Sequence, residues 1–424
     1  MPPLSRHAIL RRAADEITAR REELGRLLSS EEGKTIAEGI GEATRVGQIF
    51  DFFAGEVLRT GGGELLPSVR PGLGVEITRE PVGVVGLITP WNFPIAIPAW
   101  KLAPALAHGN TVVLKPADLV PGCAWALTEV LHRAGLPPGV LNLVMGRGSV
   151  VGQTMLDSPD IDAISFTGST ATGARVEESS ARLRRKVQLE MGGKNPLVVL
   201  DDADLALAVD CAVQGAFFST GQRCTASSRL IVTEGVYDAF LSALTAHVAA
   251  LRVGHALDPS TEIGPVVDES QLEQDLRYIA IARDEGAELV TGGERLQRDT
   301  EGHFLRPALF AGATNDMRIA REEVFGPVAC LIRVRDYDEA LAVANDTEFD
   351  LSAGIVTQSL AHATHFKRAV QAGMVMVNLP TAGVDFHVPF GGRNASSLGP
   401  REQGTCAAEF FTTVKTAYTF AGKP

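Results

Sequence analysis

Short apolar runs alternate with helix-like segments along most of this 424-residue chain, and that alternation restricts the fold more than any other feature. Between residues 82 and 200 the helix-like segments are 97–108, 124–134 and 150–156, and the strand candidates are 82–88, 111–114, 141–144 and 163–166. A chain that alternates in this way builds βαβ units around a parallel sheet. Because ligands of a doubly wound sheet bind beyond the carboxyl ends of its strands, we expect a binding site at that edge.

A second alternation further along the chain predicts a second α/β domain. Its strand candidates are 229–232, 328–334, 353–356 and 374–378, and its helix-like segments are 236–251, 338–345 and 359–371. Residues 4–30 and 33–58 have apolar side chains at helical spacing and predict two helices, the second ending before the glycines at 61–63. A stretch rich in proline and glycine at 64–80 predicts a hairpin that leaves the domain body, and residues 409–420 return to strand-like composition.

The composition excludes several classes of function. Hydrophobic residues make up 45% of the chain, which indicates a packed globular protein. The most apolar stretch, at 82–100, is interrupted by Pro90, Pro94 and Pro98, so it is unsuited to a membrane helix of about 20 residues. A formal net charge of −12 disfavours a nucleic-acid partner. The five cysteines are scattered without metal-binding spacing, and we therefore expect free thiols, no metal site and a cytoplasmic location.

Cys224 is the strongest candidate for a nucleophile. It follows Gly221, Gln222 and Arg223 and precedes Thr225, where the backbone can turn sharply and present N–H groups to a thiolate or an oxyanion. The alternative is a buried structural cysteine, which is the commoner role of an isolated cysteine. The motifs elsewhere in the chain favour the nucleophile.

Several strand ends carry groups that suit a dinucleotide, although each also has a simpler structural explanation. Gly148 lies in a glycine-rich turn whose spacing differs from GxGxxG, and a plain tight turn explains it as well. Gly168 and Ser169 follow the next strand, where hydroxyl and N–H groups at a helix N-terminus can bind a pyrophosphate. Lys115 and Asp118 suit the hydroxyls of an adenosine ribose, or alternatively a solvated helix cap.

The segment around Cys224, the sequence TPWNFP at 89–94 and the sequence LEMGGK at 189–194 together resemble the aldehyde dehydrogenase superfamily. The resemblance covers nearly the whole chain. It implies an α/β fold with a Rossmann-like cofactor domain, an α/β catalytic domain, and a bridging hairpin and C-terminal strand that build homodimers or homotetramers. The expected boundaries are 1–62 and 82–192 for the NAD(P)-binding domain, 193–404 for the catalytic domain, and 63–81 and 405–424 for the bridging element.

The resemblance also implies roles for individual residues. Cys224 is similar to the catalytic nucleophile, Glu190 to the general base, and Asn92 to the side chain that shares the oxyanion site with the Cys224 N–H. The implied cofactor is NAD or NADP, and the residues expected to contact it are Thr89, Trp91, Lys115, Asp118, Gly148, Gly168, Ser169, Gly192, Glu323 and Phe325. The Asp118 carboxylate would repel a 2′-phosphate, so NAD is expected to be favoured without strict exclusion of NADP.

Residues 378–392 and 221–226 are similar to α-ketoglutaric semialdehyde (2,5-dioxovalerate) dehydrogenases, which implies a short ω-carboxylated aldehyde as substrate. Arg223 is expected to bind the substrate carboxylate, because a guanidinium suits a carboxylate bidentately, or alternatively to pair with a structural carboxylate of the neighbouring domain. The aromatic residues expected to line a narrow passage for this substrate are Phe93, Phe217 and Phe218.

Other functions remain open at this point. Among aldehyde dehydrogenase activities, the alternatives are the oxidation of succinic semialdehyde and the oxidation of a broad range of aldehydes. The superfamily usually has a longer N-terminal segment, so a weakly active or non-catalytic nucleotide-binding protein is a further alternative. A thiol hydrolase that uses Cys224 without a nucleotide is a third. The loop at 391–397 also departs from the usual pattern and is expected near the assembly surface.

Overall fold

The computed structural model describes residues 1–59 and 63–422. Its helices are α1 (Pro3–Ala19), α2 (Arg21–Glu32), α3 (Ile36–Val57), α4 (Ala96–Ala107), α5 (Pro121–Arg133), α6 (Gln153–Asp157), α7 (Thr170–Arg182), α8 (Leu205–Ala216), α9 (Glu234–Ala250), α10 (Glu269–Asp284), α11 (Arg318–Arg321), α12 (Tyr337–Asn345), α13 (Leu360–Ala369) and α14 (Ala408–Phe411). Shorter helical turns lie at Gly148–Gly152, Phe218–Gly221 and Thr405–Ala407. None of the helices within the described ranges is long and apolar enough to cross a membrane.

The strands are β1 (Glu64–Pro67), β2 (Leu73–Pro81), β3 (Val84–Ile88), β4 (Thr111–Lys115), β5 (Leu141–Leu143), β6 (Ala163–Thr167), β7 (Lys186–Glu190), β8 (Pro196–Val199), β9 (Arg229–Thr233), β10 (Glu288–Thr291), β11 (Arg295–Leu296), β12 (Phe304–Leu305), β13 (Ala308–Ala311), β14 (Val328–Val334), β15 (Ser352–Val356), β16 (Met374–Val377), β17 (Ser397–Leu398) and β18 (Thr412–Phe420). The predicted strands of both alternations are present, whereas β7, β8, β10, β11, β12, β13 and β17 were not predicted.

Two largely parallel sheets form the body of the molecule and confirm the α/β fold. The first sheet has the order β17-β7-β6-β3-β4-β5 and is parallel except for β17. The second has the order β10-β13-β14-β9-β8-β15-β16 and is parallel except for β10. Although β17 belongs to the segment expected in the catalytic domain, it extends the first sheet. The expected boundary at 62 and the last two residues of 405–424 lie outside the described residues.

A three-stranded antiparallel sheet, β1-β2-β18, stands beside these two. It confirms the predicted hairpin at 64–80 and its pairing with the C-terminal strand. That strand begins at Thr412 rather than at residue 409, because Phe410 and Phe411 are buried in the first core as part of α14. Tyr418 and Phe420 remain exposed on β18.

Residues 4–30 form two helices rather than the single predicted helix. The break is at Arg20, whose backbone leaves the helical region at φ −101° and ψ 13°. Its guanidinium binds Glu16 in α1 at 3.0 Å and Glu23 in α2 at 2.6 Å, which stabilises the bend from both sides. The bend allows α1 to bury Ile17 and α2 to bury Leu24, each packing against α3.

The long helix α3 is central to the first core. Its start is fixed by a capping box in which Thr35 and Glu38 exchange hydrogen bonds with each other's backbone. Apolar side chains then recur at helical spacing, and Phe50 and Phe53 are 0% and 1% exposed. The N-terminal end of α3, away from these phenylalanines, is polar and faces the second domain. The helix therefore contributes both to the first core and to the candidate site.

Replacing Phe53 by Ala should lower the free energy of unfolding by about 3–5 kcal/mol, because the change removes buried aromatic surface and leaves a cavity. Leu360→Ala serves as the control: its side chain is 81% exposed on α13, and its effect should stay within about 0.5 kcal/mol. Urea unfolding followed by circular dichroism measures both. Similar losses of unfolding free energy in the two variants would contradict the conclusion that α3 is central to the first core.

Candidate active site

Cys224 lies where two cavities meet. The first, here called the Phe93 cavity, has a volume of about 270 Å³ and is lined by aromatic side chains and by polar groups of α3. The second, the Phe325 cavity, has a volume of about 280 Å³. Ile97, Thr167 and Cys224 border both. A thiol at this junction is accessible to two different ligands at the same time.

The turn before Cys224 has an unusual backbone conformation. Ser219 and Thr220 have φ angles of 52° and 56°, in the left-handed region, and each such residue costs about 1–3 kcal/mol. Glu38 of α3 offsets this cost, because one carboxylate oxygen accepts hydrogen bonds from the Ser219 N–H at 2.7 Å and from the Ser219 hydroxyl at 3.0 Å. The next residue, Gly221, also has a positive φ of 65°, which glycine adopts without strain.

The backbone on either side of the thiol is held as well. The Arg223 guanidinium donates to the same Glu38 oxygen at 3.2 Å and to the Ser219 hydroxyl at 2.8 Å. The Asn195 amide donates to the Cys224 carbonyl at 2.8 Å. Cys224 is therefore fixed in position by contacts that involve no ligand.

The environment of Cys224 favours the neutral thiol. Burial is the main reason why its pKa is raised, and the negative charges of Glu323 and Glu190 raise it further. A thiolate at this position requires a compensating change, such as the arrival of a positively charged ligand group.

Glu190 is the last residue of β7, and its carboxylate faces the loop at 391–397. The Ser397 hydroxyl donates to it at 2.6 Å, and a Cβ added to Gly391 would lie 2.6 Å from its other oxygen. Burial, and then the nearby charge of Glu402, raise its pKa well above the ordinary range. Among the residues described, Glu190 lines neither cavity. The loop that was expected near the assembly surface thus also contacts the candidate base.

A buried polar network lies behind Glu190. Lys101 donates to Glu402, with both side chains 1% exposed, and to the Ser165 hydroxyl at 2.7 Å. Ser165 in turn donates to Gln188 at 2.8 Å. Lys101 compensates part of the carboxylate charge, but two acids close together still favour a proton on one of them.

Asn92 contacts the segment just before Cys224 and borders the Phe325 cavity. Its amide nitrogen donates one hydrogen bond to the Gln222 carbonyl at 3.0 Å. The buried Lys34 ammonium holds the Asn92 backbone by donating to its carbonyl at 2.8 Å. Because a side-chain amide has two N–H groups, one donor remains for an oxyanion.

Six of the residues predicted to contact the cofactor line the Phe325 cavity, namely Trp91, Gly168, Ser169, Gly192, Glu323 and Phe325. The rings of Trp91 and Phe325 meet edge to face with centroids 5.4 Å apart. Glu323 accepts a hydrogen bond from the Gly193 N–H at 2.9 Å, and burial raises its pKa to about 7.

The remaining four predicted cofactor contacts, Thr89, Lys115, Asp118 and Gly148, lie together near the ends of β3, β4 and β5. The Thr89 N–H donates to the Lys115 carbonyl at 3.1 Å, and the Lys115 ammonium is 3.9 Å from Asp118. A Cβ on Gly148 would lie 4.0 Å from the same ammonium. These four residues do not line the Phe325 cavity. Thr89 precedes Trp91 by two positions, so they adjoin the six residues that do line it.

The residues present fit a dinucleotide. Thr89 and Thr167 each have a buried hydroxyl without a hydrogen-bond partner within the described residues, which indicates that a polar ligand is missing. Ser169 caps α7, whose first N–H groups suit a pyrophosphate. At Gly192 a Cβ would lie 2.5 Å from Glu323, so only glycine leaves this wall clear.

The Phe93 cavity differs from what the aromatic residues predicted. Phe93 lines it, with the Lys34 ammonium 3.7 Å from its ring centroid. Phe217 is fully buried in the core of the second domain and Phe218 packs against that core, so neither borders the cavity. Arg223 does line the cavity, and its guanidinium is paired with Glu38.

A sequence profile of the aldehyde dehydrogenase family matches residues 1–417. The chain belongs to that family. Similar aldehyde dehydrogenases include an alpha-ketoglutarate semialdehyde dehydrogenase of Haloferax volcanii, 48% identical over 98% of this chain and 86% of its own length. An alpha-ketoglutaric semialdehyde dehydrogenase of Bacillus subtilis is 44% identical over 96% of this chain and 84% of its own length.

A crystal structure of betaine aldehyde dehydrogenase from Staphylococcus aureus in complex with NAD+ has the same fold. It superposes with a TM-score of 0.97 at 35% identity and covers 100% of this chain and 84% of the other. Family membership and the predicted α/β architecture are therefore both confirmed.

Sequence reasoning did not single out the α3 residues of this aldehyde dehydrogenase that line the Phe93 cavity. They are Glu38, Gly41, Glu42 and Arg45, and Lys34 lies just before them. Their spacing of three and four residues places them on one helix face, but charged residues at that spacing are also typical of a solvated surface. Ser397 was likewise missed as the partner of Glu190.

The alkylation of Cys224 by iodoacetamide in the ligand-free enzyme should rise about tenfold per pH unit between pH 7 and pH 9. The thiolate fraction grows in that proportion at any pH below the thiol pKa, which is raised here. Mass spectrometry of the Cys224 peptide gives the rate, and Cys406, which is half-buried, provides an internal comparison. A plateau reached before pH 8 would contradict the raised pKa.

Proposed function

We propose that this aldehyde dehydrogenase oxidises a short ω-carboxylated semialdehyde, α-ketoglutaric semialdehyde first, to the corresponding acid with NAD or NADP. The observation that carries the proposal is the position of Cys224 at the junction of two cavities. One cavity offers aromatic and cationic groups to a small substrate, and the other contains groups suited to a dinucleotide. The names of the Haloferax and Bacillus relatives support the choice of substrate.

In the proposed reaction the Cys224 sulfur forms a bond to the aldehyde carbon, and the thiol proton passes to solvent water. The Asn92 amide and the Cys224 N–H stabilise the oxyanion of the resulting thiohemiacetal. NAD or NADP, when bound in the Phe325 cavity, would supply the oxidant that takes up the hydride lost from the same carbon. A water molecule then attacks the thioester, the carbon–sulfur bond breaks, and the thiol is regenerated together with a carboxylic acid.

Glu190 is proposed to take the proton from that water. Its raised pKa makes the carboxylate a stronger base than an ordinary glutamate, which suits proton abstraction near neutral pH. Because the carboxylate faces Ser397 rather than a cavity, the side chain has to rotate before it can act. Glu190 ends β7 and is followed by Met191, Gly192 and Gly193, and this glycine-containing segment is proposed to permit the movement.

The cofactor is proposed to lie along the Phe325 cavity with its adenosine end near Lys115 and Asp118. The Asp118 side chain is 55% exposed and 3.9 Å from the Lys115 ammonium. Its charge disfavours a 2′-phosphate, while Lys115 can accept one, so NAD is proposed as the better but not the exclusive cofactor.

Succinic semialdehyde, which is also carboxylated, remains the second candidate substrate. Betaine aldehyde, named for the Staphylococcus aureus enzyme, carries a fixed positive charge and would meet the Arg45 guanidinium in the Phe93 cavity. A non-catalytic role is disfavoured by the retained Cys224, Glu190 and Asn92. A homodimer or homotetramer is proposed through the exposed sheet β1-β2-β18, whose Tyr418 and Phe420 are unusually apolar for a surface strand.

Cys224→Ser should abolish aldehyde oxidation while leaving nucleotide binding intact, because the nucleotide is proposed to have its own contacts. Glu190→Gln should instead release about one NADH per site in a burst and then turn over slowly, since acylation precedes the step that needs the base. Stopped-flow absorbance and nucleotide titration measure both. Full activity of Cys224→Ser would refute the nucleophile, and an unchanged steady-state rate of Glu190→Gln would remove it as the base.

Purified enzyme should oxidise α-ketoglutaric semialdehyde with a kcat/KM at least about tenfold above that for an uncharged aldehyde of equal length, because a charge-assisted hydrogen bond contributes about 1.5–3 kcal/mol. Succinic semialdehyde and betaine aldehyde belong in the same series, each with NAD and with NADP. A preference for the uncharged aldehyde or for betaine aldehyde would overturn the substrate proposal.

A further inference from the structure

One face of α3 forms a wall of the Phe93 cavity. Glu38, Gly41, Glu42 and Arg45 follow one another at intervals of three, one and three residues, which places them on the same side of the helix. A Cβ added to Gly41 would meet no atom within 4 Å, so this face borders open space. A ligand in the cavity can therefore lie along the helix.

The cavity contains three cationic side chains, and two of them already have partners. The Lys34 ammonium pairs with Glu42 at 2.8 Å, and both side chains are almost fully buried. The Arg223 guanidinium pairs with Glu38 at 3.2 Å. Each pair is close to neutral, and neither cation is free to receive a ligand without losing its present contact.

Arg45 is the third cation, and its guanidinium makes no hydrogen bond and no ion pair within 4.0 Å in the part of the chain that the structure describes. Its Nε is buried and has no partner. Burial lowers its pKa, and the charges of Asp385 and then Glu42 compensate for this only in part and at longer range. An unpaired guanidinium in a cavity wall is costly, and an anionic ligand would relieve that cost.

We infer that Arg45, rather than Arg223, binds the terminal carboxylate of the substrate. The inference rests on the proposed function and specifies the residue that selects for a charged substrate end. Arg223 becomes a positioning residue, because its guanidinium supports the turn before Cys224 through Glu38 and Ser219.

The spacing along α3 agrees with this assignment. Glu38 contacts the turn that carries the nucleophile, and Arg45 lies seven residues, or about 10 Å of helix, further along. The arginine side chain can extend back toward Gly41 over part of that distance. The remaining separation suits a chain of a few carbon atoms with an aldehyde at Cys224 and a carboxylate at Arg45.

Arg45→Met tests the inference in the complete enzyme. It should raise KM for α-ketoglutaric semialdehyde by about tenfold to a hundredfold, leave kcat nearly unchanged, and leave both constants for an uncharged aldehyde of equal length unaltered. Arg45→Lys, which keeps the charge but not the fork, should give an intermediate KM. Arg283→Met, at an exposed arginine of α10, controls for the loss of one positive charge.

Arg223→Met should behave differently, because it disturbs the turn before Cys224. We expect it to lower kcat by similar factors for the charged and the uncharged aldehyde. A selective rise in KM for the charged aldehyde in Arg223→Met, without one in Arg45→Met, would assign the carboxylate to Arg223 and overturn the inference.

A second readout separates this inference from the proposed function. Glutarate, a short dicarboxylate, should slow the alkylation of Cys224 by iodoacetamide in the wild type, and Arg45→Met should need at least about tenfold more glutarate for the same protection. If the wild type shows no preference for carboxylated aldehydes, the proposed function fails and glutarate protection alone decides the role of Arg45. If that preference exists but Arg45→Met loses neither affinity nor protection, the inference fails and the proposed function stands.

Discussion

The hydrogen bonds between the Glu38 carboxylate and the Ser219 turn hold the whole site together. They join a helix of the first core to the nucleophile loop of the second domain, across 181 residues of sequence. Without an acceptor for the Ser219 N–H and hydroxyl, two successive left-handed residues would be expensive to maintain. The same carboxylate also accepts a hydrogen bond from Arg223 and lines the Phe93 cavity, so it connects the turn, the guanidinium and the cavity wall.

The environments of Cys224 and Glu190 both favour the protonated side chain. Burial is the main reason why both pKa values are raised, and the charges of neighbouring carboxylates raise them further. A nucleotide with a positively charged nicotinamide would favour the thiolate by the same electrostatics. The arrangement is consistent with a nucleophile that gains reactivity only when the second cavity is filled.

Much of this architecture could be predicted from the sequence, because hydrophobic periodicity reports which faces are buried. The two alternations of strands and helices and the hairpin with its C-terminal partner were predicted in this way. β7 and β8 were missed because charged or motif residues, such as Lys186 and Pro196, interrupt or border their short apolar runs. The helix break at Arg20 also has no local signal, since it depends on how α1 and α2 pack against α3.

Candidate site residues could be named from the sequence where they stand in a recognisable motif, as Cys224 and Asn92 do. A residue's role was not predictable where it depends on a partner that is distant in sequence. Arg223 pairs with Glu38, which agrees with the structural alternative weighed for it, and Ser397 of the loop at 391–397 contacts Glu190, which no local pattern indicates. Phe217 and Phe218 were misplaced for a related reason: both pack with the core of the second domain, whose members are distant in sequence.

The short strand β17 affects the order in which the molecule can be completed. Its Ser397 binds Glu190 from 207 positions later in the chain, and Glu402, which binds Lys101, is 301 positions beyond its partner. A nascent polypeptide that has already emerged past Cys224 therefore still lacks the groups that orient its base. The hydrogen bond to Glu190 can form only after β17 has been synthesised and has paired with β7 at the edge of the first sheet.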